Sequence, residues 1–128
     1  MSRSVFLLIT AVGSFCFGGM MFFIPVTASQ ILGIAYSQET VSVLRGMGGL
    51  IIGFGAINFL IRNATDHKTL QIVFLTNIII SLFGLLADFW GIYDGALTLT
   101  KMAPVELTHL FIGLGSLIFL TQLKTLLK

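Results

Sequence analysis

The chain has 128 residues, 56 % of them apolar and only 9 % charged. A soluble domain carries about 25 % charged residues, so this composition excludes a sizeable water-exposed domain and points to a bilayer. The net charge of +2 comes from a few lysines and arginines near the ends of apolar runs; it informs topology and gives no reason to expect nucleic acid as a partner.

Residues 5–24 form an almost unbroken apolar run after Arg3. A cleaved signal peptide has an apolar core of about 7–15 residues and a small-x-small cleavage site. Here Phe15, Phe17, Met21, Phe22 and Phe23 occupy the region where small residues are needed, so the run is expected to be a retained first span. Cys16 lies inside it, with no second cysteine for an intrachain disulfide, and reads as a small buried hydrophobe. Pro25 ends the span. Residues 26–36 are apolar but too short to cross, and the interleaved Thr27, Ser29 and Gln30 suit a short helix at the interface, anchored by Tyr36 and folded back over the bundle.

The second span is residues 41–62, capped by Ser37 or Thr40. It carries Arg45 about one turn inside its outer end and the glycines Gly46, Gly48, Gly49, Gly53 and Gly55 in its middle. Gly49-x-x-x-Gly53 places two small residues on one face, where helix backbones can approach in lipid. The polar break R-N-A-T-D-H-K-T follows, with Thr65 or Asp66 as cap and His67 in solvent. The third span is 70–90, closed by Trp90, Gly91 and Tyr93. Pro104 is a favourable first-turn residue for a fourth span over 104–123, in which Gly113 and Gly115 are the packing glycines. Lys124 and Lys128 close the chain.

The expected fold is therefore all-α: one domain over residues 1–128, with four transmembrane helices in a compact bundle and a short interfacial helix between spans one and two. The stretch I-G-F-G-A-I-N-F-L at 52–60 echoes I-G-L-G-S-L-I-F-L at 112–120. Two readings stay open: tandem helical hairpins related by an axis along the membrane normal, or coincidence among the residues that dominate the composition. Arg3, Arg62, Lys68, Lys124 and Lys128 share one side and Lys101 the other, with Arg45 inside a span. The positive-inside rule then puts both termini in the cytoplasm of a multi-pass inner (plasma) membrane protein.

Placing the polar residues by depth brings Arg45, Asp88, Glu106 and His109 to one outer level from three separate regions. Charges in a bilayer are expensive and face the protein interior, water or one another, so Arg45 is expected to hold Asp88 or Glu106, and His109 the other carboxylate. Deeper, Asn58 and Asn77 can bridge helices. The cluster is an ion-paired staple or a ligand pocket roofed by residues 25–36. A metal centre fits worse: Glu106-x-x-His109 is a single Glu-x-x-His motif where carboxylate-bridged sites use two, and Arg45 would repel a cation. No cofactor, catalytic residue or metal ligand is expected.

The pattern L-R-G-M-G-G-L-I-I-G-F-G resembles a widespread set of small bacterial four-helix inner-membrane proteins of unknown function, DoxX-like in broad shape. So do F-G-L-L-A-D-F-W-G-I-Y-D-G and P-V-E-L-T-H. In that set an arginine precedes the second-span glycines, an Asp-Gly pair follows the third span and a glutamate opens the fourth; Arg45, Asp94-Gly95 and Glu106 stand there. The resemblance implies the architecture. The quinone or thiosulfate chemistry associated with DoxX is not carried over, because no redox motif supports it. The functional expectation is non-enzymatic: binding of a lipid-like or small apolar ligand, or service as an accessory subunit in a homo-oligomer or larger membrane complex. The alternative is an oligomeric transporter or channel component, and a membrane oxidoreductase comes third.

Overall fold

The computed structural model describes residues 1–125; Lys128 lies outside them. Five helices and no strand occur among the described residues: α1 (Arg3–Phe23), α2 (Pro25–Leu32), α3 (Gln38–Ile61), α4 (His67–Tyr93) and α5 (Leu99–Thr125). Four of them, α1, α3, α4 and α5, are long and apolar enough to cross a membrane.

Local chemistry sets the helix ends. Ser2, Ser37 and Asp66 cap α1, α3 and α4, each side chain accepting a hydrogen bond from the backbone N–H three residues on. At Asp66 the hydrogen bonding from Thr69, with its N–H 2.7 Å from Oδ2, holds the carboxyl below the ordinary carboxylate range. Pro25 cannot continue α1, but its fixed φ suits the first position of α2. Gly33 closes α2 with φ 73°, and Gly95 follows α4 with φ 74°, a left-handed conformation natural to glycine. The Asp94-Gly95 pair is thus a helix stop: the Leu97 N–H folds back to the Gly91 carbonyl at 3.0 Å.

Each span is longer than the sequence suggests, and α5 differs most. It starts at Leu99, so Pro104 lies inside the helix and not at its first turn. Met102 supplies the reason. It is buried against α2 and α3 with Ala28, Leu32 and Leu44, which draws the residues before the proline into helical register.

The dominant pairings are α1 on α3 and α4 on α5, an arrangement of two hairpins. At the end bearing both the N-terminus and the α3–α4 link, the Arg3 guanidinium donates to the Ala64 carbonyl at 2.7 Å and the Ser4 hydroxyl to Asn63 Oδ1 at 2.9 Å. Just inside lies an apolar plug of Phe6, Leu7, Leu70, Val73, Phe74, Leu120 and Leu123. At the opposite end α2 packs across α1, α3 and α5 over a second apolar cluster centred on Met21, Leu44 and Met102.

The exterior is greasy: Leu50, Leu60, Phe83, Trp90 and Leu107 are all more than 60 % exposed. The interior holds Asn58, Asn77, Ser81, Ser116 and Glu106, all buried. That inversion suits lipid, since an exposed apolar surface of this extent drives association in water. Cys16 belongs to the exterior and is not the buried hydrophobe its sequence context predicts: α1 turns Ser14 and Gly18 inward, and Cys16 points the other way.

Candidate functional site

The seam between α4 and α5 is the polar core of the bundle. Asn77, Ser81, Gly84 and Asp88 follow one another at spacings of four, three and four on α4. Met102, Glu106, His109, Gly113, Ser116, Leu120 and Leu123 do the same on α5, the heptad-like seam of two antiparallel helices. Close approaches set the register. A methyl placed on Gly84 meets the His109 ring, and one on Gly113 meets Ser81 Cβ at 3.1 Å. Gly84 is therefore the slot that admits the imidazole, and Asp88 follows one turn on.

His109 Nε2 lies 3.8 Å from Asp88 Oδ2, with both side chains about one-fifth exposed. This is the ion pair that occurs among the described residues when the imidazole is protonated. Glu106, three residues before His109, is only 6 % exposed, and neither of its carboxylate oxygens has a hydrogen-bond partner. The same antiparallel register puts Asp88 level with Glu106, so two carboxylates and an imidazole lie at one depth. Below them Ser81 and Ser116 are buried with their hydroxyls unpartnered. Deeper still, Asn77 Nδ2 donates to Asn58 Oδ1 at 2.9 Å and Asn58 Nδ2 donates back to Asn77 Oδ1 at 3.4 Å. This reciprocal amide pair joins the two hairpins across their interior. A double-mutant cycle on Asn58→Ala and Asn77→Ala is expected to return a coupling of about 0.6 kcal/mol, up to about 1.7; additive losses of stability would show that the bridge carries no energy.

Arg45 does not join this cluster. It makes no ion pair among the described residues and is exposed. Leu44 and Gly48 take the buried face of α3, so Arg45 turns toward α2. There it lines an open groove of about 450 Å³ with Phe23, Pro25, Thr27, Tyr36, Gln38 and Val41. The expected four-residue cluster thus separates into a three-residue interior site and an arginine-lined surface groove.

The packing glycines also redistribute. A methyl on Gly53 meets open space, and one on Gly49 reaches the Phe22 ring only at 3.9 Å; Gly49-x-x-x-Gly53 faces outward. The close approach belongs to Gly48 and Gly55. A methyl on Gly48 meets the Gly18 carbonyl oxygen at 2.6 Å and the Phe22 nitrogen at 2.7 Å, and one on Gly55 meets Ser14 Cβ at 2.9 Å. These two lie on the face of Leu44 and Asn58, one step round the helix from the predicted pair. Gly113 packs on Ser81, and Gly115 on the ring of Phe6. Gly84, Ser81 and Ser116 are not singled out by the sequence reading, although the spacings of four and three on α4 and α5 are the signal that reveals them; Gly48 and Gly55 stand among the expected second-span glycines, but not as the facing pair.

Among the described residues no group of three or more His, Cys, Asp or Glu side chains is arranged to hold a metal ion. The fold and site together define an all-helical multi-pass membrane bundle with one buried carboxyl, Glu106, beside a partly exposed Asp88–His109 pair. Searches against family models, curated proteins and solved structures find no match to the chain.

Proposed function

We propose that this protein binds a lipid-like ligand with an anionic head, without catalysis, in the groove between the α1–α2 corner and the start of α3. The carrying observation is Arg45, a guanidinium without an ion-pair partner among the described residues, on the wall of a groove of about 450 Å³. Phe23, Pro25 and Val41 supply apolar wall, and Thr27, Tyr36 and Gln38 supply polar groups around it. An apolar cleft with a few convergent polar groups is the usual form of a small-ligand site, and a guanidinium favours phosphate or carboxylate through bidentate hydrogen bonds.

The test is native mass spectrometry of the protein released from vesicles containing equal phosphatidylglycerol and phosphatidylcholine. The expected result is selective retention of the anionic lipid, reduced roughly tenfold in Arg45→Gln, as loss of a charge-assisted hydrogen bond implies. Equal retention of the two lipids, or retention unchanged by the substitution, would refute the assignment.

The second reading, an oligomeric transporter or channel component, is favoured by the polar column that runs from the partly exposed Asp88 and His109 to the buried Ser81, Ser116 and asparagine pair. The plug of Phe6, Phe74 and Leu120 closes that column at the terminal end. We also propose that the chain belongs with the small bacterial four-helix inner-membrane proteins it resembles, on the positions of Arg45, Asp94-Gly95 and Glu106. Both termini are assigned to the cytoplasm, supported by the excess of Arg3, Arg62, Lys68, Lys124 and Lys128 over Lys101.

A further inference from the structure

Glu106 stands apart from the groove at Arg45, and ligand binding there makes no use of it. Its carboxyl is buried with both oxygens unpartnered. A buried carboxyl without a donor is costly in a protein interior and more so within a bilayer, where intramembrane ionisable groups mark ion paths and proton relays. Something must supply that donor. The charged and titratable groups near it are Asp88, level with it on α4, and His109 on its own helix. α1 carries only Arg3, at the far end, and α2 no acidic or basic side chain; on α3 Arg45 faces the groove and Glu39 is exposed in the first turn, while Lys101 of α5 packs over Gly33.

Size restricts what can enter. The His109 ring is wedged against Gly84, and neither Glu106 nor Asp88 lines the groove at Arg45 or the smaller groove of about 260 Å³ between α1 and α5. No three ligands stand ready for a metal ion among the described residues. Access comes from the Asp88–His109 pair, which is partly exposed and leads inward to the sealed carboxyl. On the other side Ser81, Ser116 and the asparagine pair run down to the apolar plug, so access is one-sided.

We propose that Asp88, Glu106 and His109 form a proton-exchange site, open to water from the α2 end and closed toward the termini. A proton leaves hydronium, crosses the Asp88 carboxylate or the His109 imidazole, and forms an O–H bond on Glu106; water is left behind and no other bond changes. Release runs the same path in reverse.

The test is infrared difference spectroscopy of the full chain in phosphatidylcholine vesicles, with pH stepped between mild acid and mild alkali and H2O exchanged for D2O. The expected result is a titrating carboxyl C=O band that shifts within the mixing time in D2O and vanishes in Glu106→Gln. In Asp88→Asn and His109→Gln the band remains, with its midpoint moved by about one pH unit, as coupled groups require. A band set unchanged in Glu106→Gln overturns the proposal. So does a Glu106 band inert to D2O, the mark of a sealed structural staple, and so does a midpoint unmoved in both neighbouring variants. If Glu106→Gln fails to fold, Glu106→Asp carries the assignment: the band must persist at a changed frequency, and an unshifted band counts against the proposal.

Discussion

Phe6→Ala is expected to lower the stability of the folded bundle by about 3 kcal/mol, the lower part of the range for large-to-small core substitutions. Phe6 is fully buried and projects from α1 into the second hairpin. Its ring lies 5.5 Å from that of Phe111, 5.3 Å from Phe119 and 6.4 Å from Phe74, distances at which aromatic pairs attract beyond their area. Gly115 leaves the space the ring occupies. Hydrocarbon surrounds this core, so transfer from water contributes less than in a soluble protein, and lost packing carries most of the effect. The rest of the apolar plug, the cluster around Met102 and the asparagine bridge also hold the two hairpins in place, so the backbones cannot readily collapse into the void. Equilibrium unfolding in bicelles measures it. Phe6→Leu keeps much of the volume and should cost about half as much or less; equal stability of Phe6→Ala and the parent chain would remove Phe6 from its assigned place as the link between hairpins.

Gly48→Ala and Gly53→Ala are expected to act with opposite sign, although the residues are five apart on one helix. At Gly48 the new methyl meets backbone atoms of α1, the Gly18 carbonyl oxygen at 2.6 Å and the Phe22 nitrogen at 2.7 Å. Backbone cannot rotate aside as a side-chain end can, so α1 and α3 must separate, at about 1–3 kcal/mol for overpacking. Gly48→Leu should exceed that and disrupt the first hairpin. At Gly53 the methyl meets nothing within 4 Å, and replacing a helical glycine by alanine gains up to about 1 kcal/mol in propensity. The same unfolding measurement on both variants decides the matter. Similar effects at the two positions would mean that α3 packs on α1 through a different face.

Much of the architecture was legible along the chain. An apolar run long enough to cross the bilayer has few alternatives to a helix, because every backbone hydrogen bond must be made internally. Proline and glycine then mark breaks, as Pro25 does after the first span and Gly91 near the end of the third. That Asn58 and Asn77 bridge helices is also legible, since an amide inside lipid needs a partner; that they bond to each other is a finding of the structure. Pro104 misled the reading because its effect depends on what precedes it: Met102 finds a buried place against Leu32 and Leu44, and the helix extends to reach it.

The candidate site was legible only in part. Depth along the chain brought Asp88, Glu106 and His109 to one level, but depth says nothing about direction around a helix axis. Arg45 shares that level and points elsewhere, because Leu44 and Gly48 take the buried face of α3. The same one-step rotation separates Gly48 and Gly55, which seat α1, from Gly49 and Gly53, which face outward.

By itself the sequence determined that the chain is a membrane-embedded set of four long helices and a short one, and which rare polar residues need partners. These follow from local chemistry and from the cost of unsatisfied polar groups in lipid. Only the tertiary structure decided which helices pair and which glycines they pair through. It also put Arg45 on a groove while leaving Glu106 sealed beside Asp88 and His109. In a chain apolar on every side the hydrophobic pattern does not single out an inward face. That choice rests on how closely backbones can approach and on which side chains fill the gaps left between them.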